Sequence, residues 1–114
     1  MNGIVVDAIK KELVELTSKL IKYKTLSNNT SEIDGCFDFI KSYMKGFHVE
    51  EVKKNGTKSL VISNEKRKKF DYILLGHIDV VPAKQEMFTP RITKGKIWGR
   101  GSYDMKSGVA IAYY

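Results

Sequence analysis

His77, Asp79 and Asp104 lie within 28 residues of one another in a 114-residue chain, and they are the side chains whose types and spacing suit metal chemistry. They sit in two short motifs. The first is Gly76-His77-Ile78-Asp79-Val80-Val81-Pro82, and the second is Gly99-Arg100-Gly101-Ser102-Tyr103-Asp104-Met105-Lys106-Ser107-Gly108. In a regular strand, residues two apart project from the same face, so His77 and Asp79 would point together. A neutral imidazole can give one nitrogen to a metal ion while a carboxylate accepts the other ring N–H and fixes the tautomer. The competing reading is a histidine and an aspartate at a strand end satisfied by loop backbone. Asp104 has two readings as well. It can cap the helix that follows it, or it can be a carboxylate carried by a glycine-rich turn to the mouth of a sheet, where open α/β folds place their ligands.

Other chemically capable groups are weaker candidates. Arg100, Lys106 and Ser107 flank Asp104 and are expected to contact solvent or to make local hydrogen bonds. His48 stands alone in a short strand and is read as structural or exposed. Cys36 has no second cysteine to pair with, and its place between Ile33 and Phe37 suits a small buried side chain better than a nucleophile.

The elements that must position these residues run helices first, then strands. Ile9, Leu13, Leu16 and Leu20 form one stripe of an amphipathic helix over about 5–23. Polar Asn28-Asn29-Thr30 ends that segment. Ser31 and Asp34 resemble a capping pair for a second helix, whose Ile33, Phe37, Ile40 and Met44 repeat at helical spacing until Gly46. Residues 47–52 and 59–62 form a hairpin around Asn55-Gly56. Residues 72–81, apolar and uninterrupted as far as Gly76, are expected to be a central strand covered on both faces and ended by Pro82. A second hairpin spans 91–93 and 97–98, and a helix follows Asp104. Three glycines, Gly95, Gly99 and Gly101, precede Asp104. The fold class expected is α/β: two helices, then a mixed sheet with hairpins and a following helix.

Composition bounds the rest. A chain of this length, 42% hydrophobic, fits one modest domain. Lys and Arg number 20 against 13 Asp and Glu, a formal charge of +7. The basic residues are scattered. Their one dense cluster, Lys66-Arg67-Lys68-Lys69, falls where a solvated turn is expected, with no interleaved aromatic residues to stack bases, so nucleic-acid binding is not expected. No stretch reaches the roughly 18 apolar residues of a membrane span, and Asp7 interrupts the apolar N-terminal run. A cytoplasmic protein without membrane association is the expectation.

The two motifs together resemble the M20 family of metallopeptidases, which includes acetylornithine deacetylase, succinyl-diaminopimelate desuccinylase, aminoacylases, carboxypeptidases and dipeptidases. Phe88-Thr89-Pro90 sits where that family carries a Pro-Phe segment before its hairpin. The resemblance implies that His77 is a ligand of one zinc ion, that Asp104 bridges two, and that Asp79 orients His77. It also implies a cis peptide bond from Asp104 to Met105. Cobalt or manganese would suit the same ligand types. Ser107 replaces a frequent glycine, and a tryptophan common after the first motif is absent, with Met87 near its place.

By the same resemblance the chain is the N-terminal portion, residues 1–114, of a catalytic metal-binding domain. The rest of that domain and a smaller dimerisation domain would lie beyond it, implying a homodimeric parent. A two-zinc centre needs about five ligand residues, of which two are assignable here. The Glu-Glu pair that would supply the general base has no counterpart, so the fragment alone is expected to be inactive. The apolar ending, Val109 to Tyr114, also reads as a cut. The parent would hydrolyse amide bonds of small peptides or N-acyl amino acids. The alternative is a non-catalytic interaction module on the same α/β scaffold.

Overall fold

The computed structural model describes residues 3–114. Its elements are helix α1 (Gly3–Ile21), helix α2 (Thr30–Tyr43), strands β1 (His48–Lys54) and β2 (Thr57–Ser63), a 3-10 turn (Gln85–Phe88), strands β3 (Arg91–Thr93) and β4 (Lys96–Trp98), and helix α3 (Lys106–Tyr113). The α/β class is borne out.

The helical stripes make the core. Leu16 and Leu20 of α1 meet Cys36, Phe37 and Ile40 of α2, Met44 just beyond it, and Val109 and Ala110 of α3. Fully burying a side chain such as Leu20 or Ile40 stabilises the fold by roughly 1.5–3 kcal/mol. Only the C-terminal half of α1 is covered: Ile9 and Leu13 are half-buried, and Val5 and Val6 are exposed. Cys36 is fully buried, as its apolar neighbours imply. Burial pushes its thiol up to about 11.

Both hairpins close through two-residue turns. Asn55 and Gly56 have φ of 52° and 79°, and Lys94 and Gly95 have 52° and 72°. Positive φ at both central positions is the type I′ pattern, whose twist matches that of the flanking strands. β1 pairs antiparallel with β2 from His48 opposite Ser63 to Lys54 opposite Thr57. Leu60 and Ile62 of β2 point onto the helical core.

Three expectations change. First, the sheet is not mixed: the described strands form two separate antiparallel pairs, β1–β2 and β3–β4. Second, residues 72–81 have no ladder partner among the described residues and are not a strand. A continuous apolar run signals a strand buried between neighbours, but the ladder itself requires those neighbours. Here Tyr72, Ile73, Leu74 and Leu75 are all at least 78% exposed. Third, the Ser31–Asp34 capping pair does not form. The N-cap of α2 is Asn29, and the Asp34 carboxylate instead accepts from Lys58 Nζ of β2 at 2.7 Å. Because α2 already begins at Thr30, Ser31 lies inside the helix and not at its N-cap, so the pair is out of register for a capping box.

Candidate functional site

The segment carrying His77 and Asp79 crosses the start of α3. A Cβ on Gly76 would lie 3.3 Å from both Met105 Cε and Val109 Cγ2, so this backbone passes close to the helix. Beyond His77 the chain is tied to the stretch after α1. Thr25 Oγ1 donates to the Ile78 carbonyl at 2.6 Å, and the Val80 amide donates to the Thr25 carbonyl at 3.0 Å.

The Asp104 turn is built from the other side. Gly101 has φ of 88°, a left-handed conformation that favours glycine, and the Lys106 amide closes the turn onto the Gly101 carbonyl at 2.8 Å. The peptide bond from Asp104 to Met105 is cis, as the resemblance implies. α3 takes Met105 as its N-cap, with no side-chain cap bond. Asp104 is therefore not a cap, and its carboxylate is free to face elsewhere.

It faces His77. Nε2 of His77 lies 3.1 Å from Asp104 Oδ1. The opposite ring nitrogen, Nδ1, lies 3.2 Å from Asp79 Oδ1 and 3.1 Å from the Asp79 carbonyl. The three residues singled out by spacing are thus brought together, with the imidazole between the two carboxylates. All three side chains are open to solvent. They line a cleft of about 700 Å³ with Leu26, Asn28, Pro82, Arg100 and Tyr103. His77 and Asp79 also border a second groove of about 480 Å³ beside Asp34, Phe37 and Lys58.

When Nδ1–H donates to Asp79, Nε2 presents a lone pair to Asp104 Oδ1. Two acceptors 3.1 Å apart are satisfied by a shared proton or by a cation. Zinc binds imidazole nitrogen and carboxylate oxygen at about 2.0–2.2 Å each, which suits a pair at this separation. The Asp79 carboxylate is on the far side of the ring and does not converge on the same point. Among the described residues, no group of three or more His, Cys, Asp and Glu side chains could hold a metal ion. What the described residues bring together is one imidazole nitrogen and one carboxylate oxygen 3.1 Å apart, with a second carboxylate beside the opposite ring nitrogen.

The flanking residues depart from expectation. Lys106 is fully buried, not solvated, and its Nζ donates to the Tyr23 carbonyl, 83 residues away, at 2.8 Å. Burial pushes this amine down to about 8. Arg100 is half-buried, and its Nη2 donates to the Pro82 carbonyl at 3.4 Å. His48 is half-buried and pairs with Glu50 at 3.3 Å, away from the site. The contacts of Tyr23, Thr25 and Lys106 are not legible in the sequence, because a Lys-Thr-Leu-Ser segment after a helix carries no sign of distant partners. No helix among the described residues is long and apolar enough to cross a membrane.

Comparison with known proteins places both motifs in a matched region. Residues 73–114, which include both motifs, match the model for peptidase family M20/M25/M40. The chain is 42% identical over 106 residues to a succinyl-diaminopimelate desuccinylase of Nautilia profundicola, covering 86% of this chain and 27% of that protein. It is 39% identical over 102 residues to the enzyme of the same name from a Sulfurovum species, with the same coverage. To that of Wolinella succinogenes it is 35% identical over 106 residues, covering 90% and 28%. The chain thus spans between a quarter and a third of the length of these relatives. Both motifs fall inside the matched region and a single relative name recurs along the chain, so the chain is similar to the M20/M25/M40 peptidase family over residues 73–114.

Proposed function

We propose that this chain carries one part of the metal centre of a zinc-dependent hydrolase that cleaves amide bonds of N-acyl amino acids or small peptides, with an N-succinyl amino acid as the leading substrate. The observation that carries this reading is the approach of His77 Nε2 to Asp104 Oδ1 at 3.1 Å, formed by residues from the two motifs. The desuccinylase relatives support the substrate class.

In this reading His77 and Asp104 would hold the metal, with Asp104 as the ligand that two ions would share. A bound divalent ion would supply Lewis acidity, polarising the scissile carbonyl and lowering the pKa of water at neutral pH. Asp79 holds the His77 ring by accepting from Nδ1, which leaves Nε2 as the donor atom. The remaining ligands and the general base lie outside residues 1–114, so the 114-residue chain alone is inactive. Cytoplasmic residence is part of the same proposal.

The test uses the longest natural polypeptide containing this sequence, stripped of metal and assayed on succinyl-diaminopimelate, N-acetyl amino acids and dipeptides. Turnover should appear only on adding Zn²⁺ or Co²⁺ and should be greatest with the succinylated substrate. Metal-independent turnover, or none with any acyl substrate, would remove the reading.

A further inference from the structure

Residues 72–81 have no strand partner among the described residues, yet His77 must be held against Asp104, which another part of the chain carries. We infer that Tyr23–Thr25, the backbone just after α1, is a positioning clamp that sets the separation of His77 and Asp104, with Thr25 holding the His77 segment and Lys106 tying the Asp104 turn to the same point. The inference rests on the metal-site reading proposed above and concerns what keeps that site in register.

One arm is Thr25, itself fully buried. Its hydroxyl donates to the Ile78 carbonyl at 2.6 Å, and its own carbonyl accepts the Val80 amide at 3.0 Å. These bonds fix the backbone on both sides of Asp79. The other arm is Lys106. Its amide closes the turn onto Gly101, and its Nζ reaches the Tyr23 carbonyl at 2.8 Å.

The arms meet at one atom. The Tyr23 carbonyl oxygen accepts both the Thr25 amide, at 2.9 Å, and Lys106 Nζ. It lies just past the C-terminal end of α1, where carbonyls are left over by the helix and attract cationic donors. A fully buried lysine is costly beside a methionine or leucine of similar volume. Its presence is accounted for by the one bond that an apolar residue could not make.

Gly101 makes the join tight. A Cβ there would meet Lys106 Cδ at 2.9 Å and Val80 Cγ1 at 3.0 Å, so the two arms pack against each other across this glycine. Displacing either arm moves one ligand relative to the other. Groups that orient metal ligands in this way typically change affinity by 10–100-fold when removed.

The test is Co²⁺ titration of the metal-free full-length protein, reading affinity and the visible absorption of the bound ion, with circular dichroism as a check on folding. Thr25→Val removes the hydroxyl at constant shape, Thr25→Ser restores it, and Lys106→Met removes the donor. Thr25→Val and Lys106→Met should each weaken Co²⁺ binding about tenfold or more and alter the spectrum, while Thr25→Ser stays close to wild type. Folded Thr25→Val and Lys106→Met proteins with wild-type affinity and spectrum would overturn the clamp. Should Lys106→Met fail to fold, the Thr25→Val and Thr25→Ser pair decides by itself. His77→Ala separates the two ideas: if it binds Co²⁺ as wild type does, the metal-site reading is what has failed.

Discussion

The imidazole of His77 lies between two carboxylates, with Nε2 3.1 Å from Asp104 across 27 positions of sequence and Nδ1 3.2 Å from its near neighbour Asp79. One ring nitrogen is steered from within the motif, and the other is aimed at a residue from a different motif. That division of labour gives the two aspartates different expected phenotypes.

Replacing either His77 or Asp104 by alanine removes a proposed ligand. Each variant of the full-length protein should lose metal affinity by more than about 100-fold, beyond the effect of an orienting group. Metal content after dialysis against a weak chelator is the measurement.

Asp79→Asn keeps an oxygen acceptor beside Nδ1 but removes its charge, whereas Asp79→Ala removes the side-chain acceptor altogether. Metal affinity should fall by about 10–100-fold in Asp79→Ala and by less in Asp79→Asn. Equal losses would mean that charge, not ring orientation, is what Asp79 supplies.

Two glycines with positive φ should respond differently to alanine. At Gly46, φ is 100° and a Cβ meets nothing within 4 Å, so Gly46→Ala should cost only the conformational penalty, about 1 kcal/mol. At Gly101 the same penalty is joined by overpacking against Lys106 and Val80, which typically adds about 1–3 kcal/mol. Urea denaturation of the two variants compares them directly.

Cys36 should be inert in the folded protein, since its ionisation is pushed up to about 11 from 9.0 by burial. Below pH 9 both folded and unfolded chains keep the thiol protonated, and stability is unaffected. From pH 9 towards 11 the unfolded chain loses the proton first, so this component of stability falls as pH rises. Lys106, held down to about 8 from 10.5, works in the reverse sense between those values. The Cys36 component is therefore read as the difference between wild type and Cys36→Ala. Thiol labelling at neutral pH should require denaturant.

Local periodicity made much of this legible. The apolar stripes of α1 and α2, the Asn55-Gly56 turn and the paired motifs each encode their structure within a few residues. What stayed hidden depends on distant partners. Ser31 and Asp34 have the spacing of a capping pair, but α2 starts one residue before Ser31, and Asp34 bonds Lys58 from β2, a partner that the local sequence does not reveal. Lys106 looks solvated, because nothing near it in sequence reveals a carbonyl 83 residues away. The run at 72–81 has the composition of a central strand, but composition cannot supply the flanking strands that would make it one.

That run carries a liability. Tyr72 to Leu75 present four large apolar side chains to water along a backbone without ladder bonds among the described residues, and bare extended segments of this kind recruit one another. Prepared as an isolated 114-residue polypeptide, the chain should self-associate through intermolecular β-pairing, seen as concentration-dependent light scattering and a gain of thioflavin fluorescence. Lysine in place of Ile73 and Leu75 should act as a gatekeeper and suppress both signals.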